Sequence, residues 1–188
     1  KLIAATGIGT AANPIETTIT ALEASGGTGG VFIVDLAGGL TIGGVTALLV
    51  GVTATGSDIV ITALSPLTIN EAVTNTGGGN IVLTAAGSAA VDEITINAVI
   101  APTGGNGSIT LLAADSINQN ANVSAVGTGN ITYTARVANV SPGTDLAVLE
   151  VFNPNPQQVT LPLGSFTGVR AGQEVVAIGS PFGVLSNT

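Results

Sequence analysis

The chain has 188 residues, with three basic and eleven acidic side chains, no histidine, no cysteine and a formal charge of −8. Three scattered cations, Lys1, Arg136 and Arg170, cannot track a phosphate backbone or an anionic bilayer, so nucleic acid and membrane insertion are not expected. The lack of cysteine excludes disulfides, thiolate metal sites and thiol nucleophiles, and with the scarcity of lysine it suggests an extracellular or cell-surface setting.

Hydrophobic residues make up 45% of the chain but aromatics only 3%, so any core must be built from Ala, Val, Ile and Leu. Small and β-branched side chains suit thin layers that stack on copies of themselves. No apolar run reaches the roughly 18 residues of a membrane span. The longest, residues 36–50, is broken by Gly38, Gly39, Gly43 and Gly44. The chain opens at Lys1 and stops at Thr188 in mid-pattern, and reads as an excerpt of a longer or processed polypeptide.

In chain order, the first segment open to two readings is 15–24. Asn13-Pro14 could start a short helix there, but Ile15-Glu16-Thr17-Thr18-Ile19-Thr20 alternates like a strand. A strand motif then appears as Val31-Phe32-Ile33-Val34 and recurs as Ile59-Val60-Ile61-Thr62-Ala63, Ile81-Val82-Leu83-Thr84-Ala85, Ile109-Thr110-Leu111-Leu112-Ala113 and Ile131-Thr132-Tyr133-Thr134-Ala135. Its first apolar residue stands at 31, 59, 81, 109 and 131, in steps of 28, 22, 28 and 22. A second strand lies between copies: Leu40-Thr41-Ile42, Leu67-Thr68-Ile69-Asn70, Ile94-Thr95-Ile96-Asn97 and Ile117-Asn118-Gln119-Asn120. A third short strand follows at 72–74, 98–100 and 122–124, and glycine-rich turns such as Gly77-Gly78-Gly79 close each unit.

Alternation with a period of two places Ile, Leu and Val on one face and hydroxyls or amides on the other. Two or three short strands per unit of about 22–28 residues match one coil of a β-solenoid. The predicted fold is all-β, a right-handed parallel β-helix over 1–135, with Ile59, Ile81, Ile109 and Ile131 in one column and Asn70 and Asn97 at a fixed corner. An antiparallel β-sandwich with the same strand count is the alternative.

Several pieces of this region, among them Gly39-Leu40-Thr41-Ile42-Gly43, Ser65-Pro66-Leu67-Thr68-Ile69-Asn70 and Gly79-Asn80-Ile81-Val82-Leu83-Thr84-Ala85, resemble repetitive passages of very large bacterial surface proteins of the filamentous-haemagglutinin and giant planctomycete type. That resemblance implies a surface or secreted scaffold.

The texture changes near 135–143. Five of the eight prolines and three of the four phenylalanines lie beyond that point, so 136–188 is set apart as a small C-terminal β segment. It contains Thr144-Asp145-Leu146-Ala147-Val148-Leu149, Leu161-Pro162-Leu163-Gly164-Ser165 and Val175-Val176-Ala177-Ile178-Gly179-Ser180-Pro181-Phe182-Gly183. These blocks, in this order, are similar to part of the trypsin-like protease domain of the Deg/HtrA family. The resemblance implies that Asp145 occupies the position of the triad's acid, which orients and stabilises a histidine. It also implies that the family's nucleophile segment would follow Thr188 and its histidine segment would precede residue 135. With no histidine in the chain, no serine is activated by the usual route.

Other candidates are weaker. Asp92, Glu93 and Asp115 fall in turns between strands. With asparagines and backbone carbonyls they could hold Ca²⁺, which takes about 6–8 oxygens, although solvated turn acids are the plainer reading. Glu16 and Glu23, seven apart, are too distant along a strand to form a dyad without tertiary help, and Asp35 reads as a corner residue, with a buried acid as the alternative. Otherwise no cofactor is expected. The composition and repeats thus lead to the expectation of a non-catalytic structural or adhesive segment that self-associates through exposed strand ends, with filament formation as the extended form of that association. A fragment or derivative of a trypsin-like protease, or a calcium- or carbohydrate-binding module, stands as the alternative.

Overall fold

A computed structural model describes residues 1–134 apart from 37 and 88–90, together with the backbone of Asn139–Ser141 and Leu146–Val148. The chain falls into two compact units, Lys1–Pro154 and Asn155–Thr188, and all described residues lie in the first. They form an all-β structure whose one helical element is a single 3-10 turn at Gly27–Gly29.

The chain runs through β1 (Leu2–Ile3), β2 (Ile15–Thr17), β3 (Ala21–Leu22) and β4 (Ala24–Ser25). It then passes through β5 (Val31–Asp35), β6 (Leu40–Ile42) and β7 (Val52–Ala54), and through β8 (Ile59–Ala63), β9 (Leu67–Ile69) and β10 (Val73–Asn75). The pattern repeats in β11 (Ile81–Ala85), β12 (Ile94–Ile96) and β13 (Ile100–Pro102), and in β14 (Ile109–Ala113), β15 (Ile117–Gln119) and β16 (Ile131–Thr134). Strands of each turn of chain pair with their equivalents in the turns before and after. This gives three sheets, in the orders β1-β4-β7-β10-β13, β2-β5-β8-β11-β14-β16 and β3-β6-β9-β12-β15.

Every pairing in these three sheets is parallel. The antiparallel sandwich is therefore excluded for this region. Parallel neighbours need a long return path, and the steps of 22 and 28 residues supply it. The 15–24 segment resolves as three short strands and not a helix, because Thr18 to Thr20 bend the chain between β2 and β3.

The registers put equivalent residues over one another. Val31, Ile59, Ile81, Ile109 and Ile131 pair in sequence, as do Ile33, Ile61, Leu83, Leu111 and Tyr133. In β8 and β11 the first, third and fifth residues are buried while Val60, Thr62, Val82 and Thr84 face outward, half-buried. The other two sheets add Leu40, Leu67 and Ile94, then Ile42, Ile69 and Ile96, and Val52, Val73 and Ile100, all buried in the same core. No single coil can bury its apolar face alone, so each depends on the coils beside it.

Polar side chains stack on the outside. Asn120 Nδ2 donates to Asn97 Oδ1 at 2.8 Å, and Asn97 Nδ2 donates to Asn70 Oδ1 at 2.9 Å. At the glycine turns, adjacent coils approach too closely for a side chain. A Cβ on Gly77 would lie 2.1 Å from the Thr55 carbonyl oxygen, and one on Gly104 would lie 1.9 Å from that of Thr76.

After β16 the pairing changes. β17 (Asn139–Ser141) and β18 (Leu146–Val148) are antiparallel, with Asn139 opposite Val148 and Ser141 opposite Leu146.

Candidate active site

Asp145 itself lies outside the described residues. Its chain neighbour Leu146 is the first residue of β18, whose ladder with β17 is in place. The Leu-Ala-Val part of the Thr144-Asp145-Leu146-Ala147-Val148 block is therefore an antiparallel strand, and the acid precedes its first residue. The blocks at 161–165 and 175–183 lie outside the described residues.

The other acids considered from the sequence fall into two groups. Asp92, Glu93 and Asp115 sit at the corner between the second and third sheets. The Asp115 amide donates to the Asp92 carbonyl at 3.2 Å, so adjacent coils meet there. The Glu93 carboxylate accepts from Thr95 Oγ1 at 3.3 Å, Ser116 Oγ at 3.5 Å and Asn118 Nδ2 at 3.0 Å. Its oxygens are thus engaged by its own strand and by the next coil. Among the described residues no group of three or more His, Cys, Asp or Glu side chains converges as a metal cluster.

Glu16 is exposed on β2, whereas Glu23 and Asp35 are fully buried. Asp35 Oδ1 accepts from Thr17 Oγ1 and the Ile19 amide, both at 2.9 Å, and so ties β5 to the first coil. Glu23 Oε1 accepts from the Val45 and Thr46 amides at 2.7 and 2.6 Å, and Oε2 accepts from Thr46 Oγ1 at 2.7 Å. Burial pushes the Glu23 carboxyl up. The three hydrogen bonds, with Lys1 adding its positive charge, outweigh that and hold it below the usual carboxylate value. Sequence reasoning weighed Glu23 only as half of a dyad with Glu16. The missed signal was an acid placed in an apolar corner opposite a loop full of free amides. Tyr133 donates its hydroxyl to Gln119 Oε1 at 2.6 Å, and partial burial raises its phenol above the ordinary value.

Compared with known proteins, the chain matches the model of the trypsin-like peptidase domain over residues 54–188. That is well over half its length, and the chain belongs to this family. It is also 49% identical over 57 residues to the mitochondrial serine protease HTRA2 of Bos taurus, which covers 30% of this chain and 12% of that protein. The chain therefore corresponds to a small part of that relative's length. No solved structure matches significantly.

These findings correct the expectation of a non-catalytic, adhesive, filament-forming structural segment, and with it the conclusion that the chain is not an enzyme. That conclusion rested on the missing histidine. Members of a catalytic triad come from widely separated segments of a fold. The composition of a stretch matching an eighth or so of a protease's length therefore says little about the whole catalytic set. The Deg/HtrA resemblance of the tail is the reading that stands.

Proposed function

We propose that this chain is part of a serine protease of the trypsin-like type and that Asp145 is the acid of its triad. The match over residues 54–188, which includes the Thr144-Asp145-Leu146-Ala147-Val148 block, carries this reading. The reaction is peptide-bond hydrolysis. Asp145 accepts a hydrogen bond from one imidazole nitrogen, fixes the tautomer and stabilises the imidazolium formed as the serine attacks the carbonyl. The 188 residues contain no histidine, so the imidazole comes from outside this stretch.

Within the proposal, 1–135 form a right-handed parallel β-helix and 136–188 belong to the protease fold. The handedness is supported by the parallel pairing, since crossover returns between parallel strands of one sheet are right-handed in about 98% of cases. The boundary is supported by the change from parallel pairing up to β16 to antiparallel pairing at β17–β18.

The test is Asp145→Asn in the intact protease. It should leave KM near its original value and lower kcat by about 10⁴-fold, because the amide holds the histidine in the wrong tautomer. Labelling by a fluorophosphonate probe should slow in parallel. Unchanged turnover in the variant would remove Asp145 from the triad.

A further inference from the structure

The corner between the third and first sheets is tight in most coils. Glu23 alone joins β3 to β4, and three residues, 70–72, join β9 to β10. Between β6 and β7 the same corner carries a nine-residue insertion, Gly43–Gly51. Its ends have hinge-like backbones, with φ of 110° and 77° at Gly43 and Gly44 and 71° at Gly51. Its middle presents Val45, Leu48 and Val50 to solvent, Leu48 at 93% exposure. With these side chains exposed, burial of apolar surface does little to hold the loop in place.

Two carboxylates hold it, one from the coil on either side. Glu23 takes the Val45 and Thr46 amides and the Thr46 hydroxyl, as described above. Glu71 takes the Gly44 amide on Oε1 at 3.1 Å and the Gly51 amide on Oε2 at 2.7 Å. Thr46 Oγ1 also accepts from the Leu49 amide at 3.2 Å, which closes a turn inside the loop. Four backbone amides of the insertion thus end on two acids.

We propose that Gly43–Gly51 is an acid-released strap, fastened by the carboxylates of Glu23 and Glu71 and freed at its glycine hinges when Glu23 is protonated. This is independent of the proteolytic reading. Hydrogen bonds to a charged acceptor are roughly twice as strong as neutral ones, and a protonated carboxyl gives up part of its acceptor capacity. The sign follows from the lowered Glu23 carboxyl. A group whose folded value is depressed contributes stability that is fully present above its unfolded value and lost as pH falls through the folded one. Release therefore occurs on the acid side of the ordinary carboxylate range. Lys1 is the charged group whose field acts on Glu23, the strap carries no titratable side chain, and Asn97 stacks on Asn70, the residue before Glu71.

Amide hydrogen exchange on the 188-residue chain, expressed as protection relative to the free peptide, tests this. As pH falls from about 7 to below the ordinary carboxylate range, protection at Val45 and Thr46 should fall at least about tenfold, the worth of one charged hydrogen bond. Protection at Ile61 and Leu83 should change far less. Glu23→Gln with Glu71→Gln should show the low strap protection already at pH 7 and lose the pH response. Should that variant not fold, Thr46→Val removes one donor to Glu23 and keeps both acids, so the strap must open at a higher pH than in the parent. A strap that loses no more protection than the strands, a pH response that survives the Gln pair, or an opening pH that Thr46→Val leaves unmoved would overturn the proposal.

Discussion

Residues 54–188 match one family model, yet they contain two kinds of strand pairing. From β8 to β16 every strand lies beside a strand 21 to 28 residues away, in parallel and in register. At β17–β18 the partners are close neighbours in sequence and antiparallel. The first kind acquires its apolar cover from other coils, so its stability is shared along a stack. The second needs only a short turn to form, and it carries the acid-bearing block at its edge. On the proposed function, stability and chemistry fall to different stretches of one chain, and substitutions can test that separation.

The largest effect should come from the middle of the stack. Leu83 is fully buried on β11, with Ile61 on one side and Leu111 on the other. Leu83→Ala leaves a cavity that neither ladder can close, and should cost about 2–5 kcal/mol of unfolding free energy in denaturant titration. The separation also requires that Asp145→Asn leave this unfolding free energy unchanged. If both substitutions lowered stability equally, the two regions would be one cooperative unit.

A smaller loss is expected at the glycine turns. In Gly77→Ala the new methyl meets the Thr55 carbonyl oxygen, which belongs to backbone and cannot swing aside. The adjacent coils must shift apart, at about 1–3 kcal/mol, the usual range for overpacking. Gly104→Ala should behave alike, because its turn stacks in the same way on Thr76. An unfolding midpoint as high as the parent's would mean that the turns do not set the coil spacing.

How much of this was readable beforehand differs between the same two regions. The column through Ile59, Ile81, Ile109 and Ile131 followed from the recurrence alone, because parallel pairing in register sets equivalent residues over one another. β7 and β4 escaped notice for a local reason. The Gly43–Gly51 insertion stretches the interval before Val52, and Ala24-Ser25 is too short to show alternation. The roles of Glu23 and Glu71 were hidden as well, since a carboxylate's partners here are backbone amides, which any sequence supplies. In the tail, strand periodicity said nothing about Asp145. A family likeness alone marked it, and the absence of histidine from these residues then led the functional reading astray.

The smallest predicted effect bears most directly on the origin of the stack's stability. Ile131 occupies the same column as Ile81, but on β16 it is 38% exposed, and the described strand beside it is β14 alone. If burial arises from neighbouring coils and not from the side chain's own preference, an identical residue must be worth less at the end of its column. Ile131→Ala should therefore cost less than about 1 kcal/mol, a fraction of the roughly 1.5–3 kcal/mol that full burial of such a side chain contributes. The check is to measure Ile131→Ala and Ile81→Ala by the same denaturant titration. Equal losses would mean that β16 is covered as completely as β11, so that the stack continues past Thr134 and its end lies elsewhere in the protein.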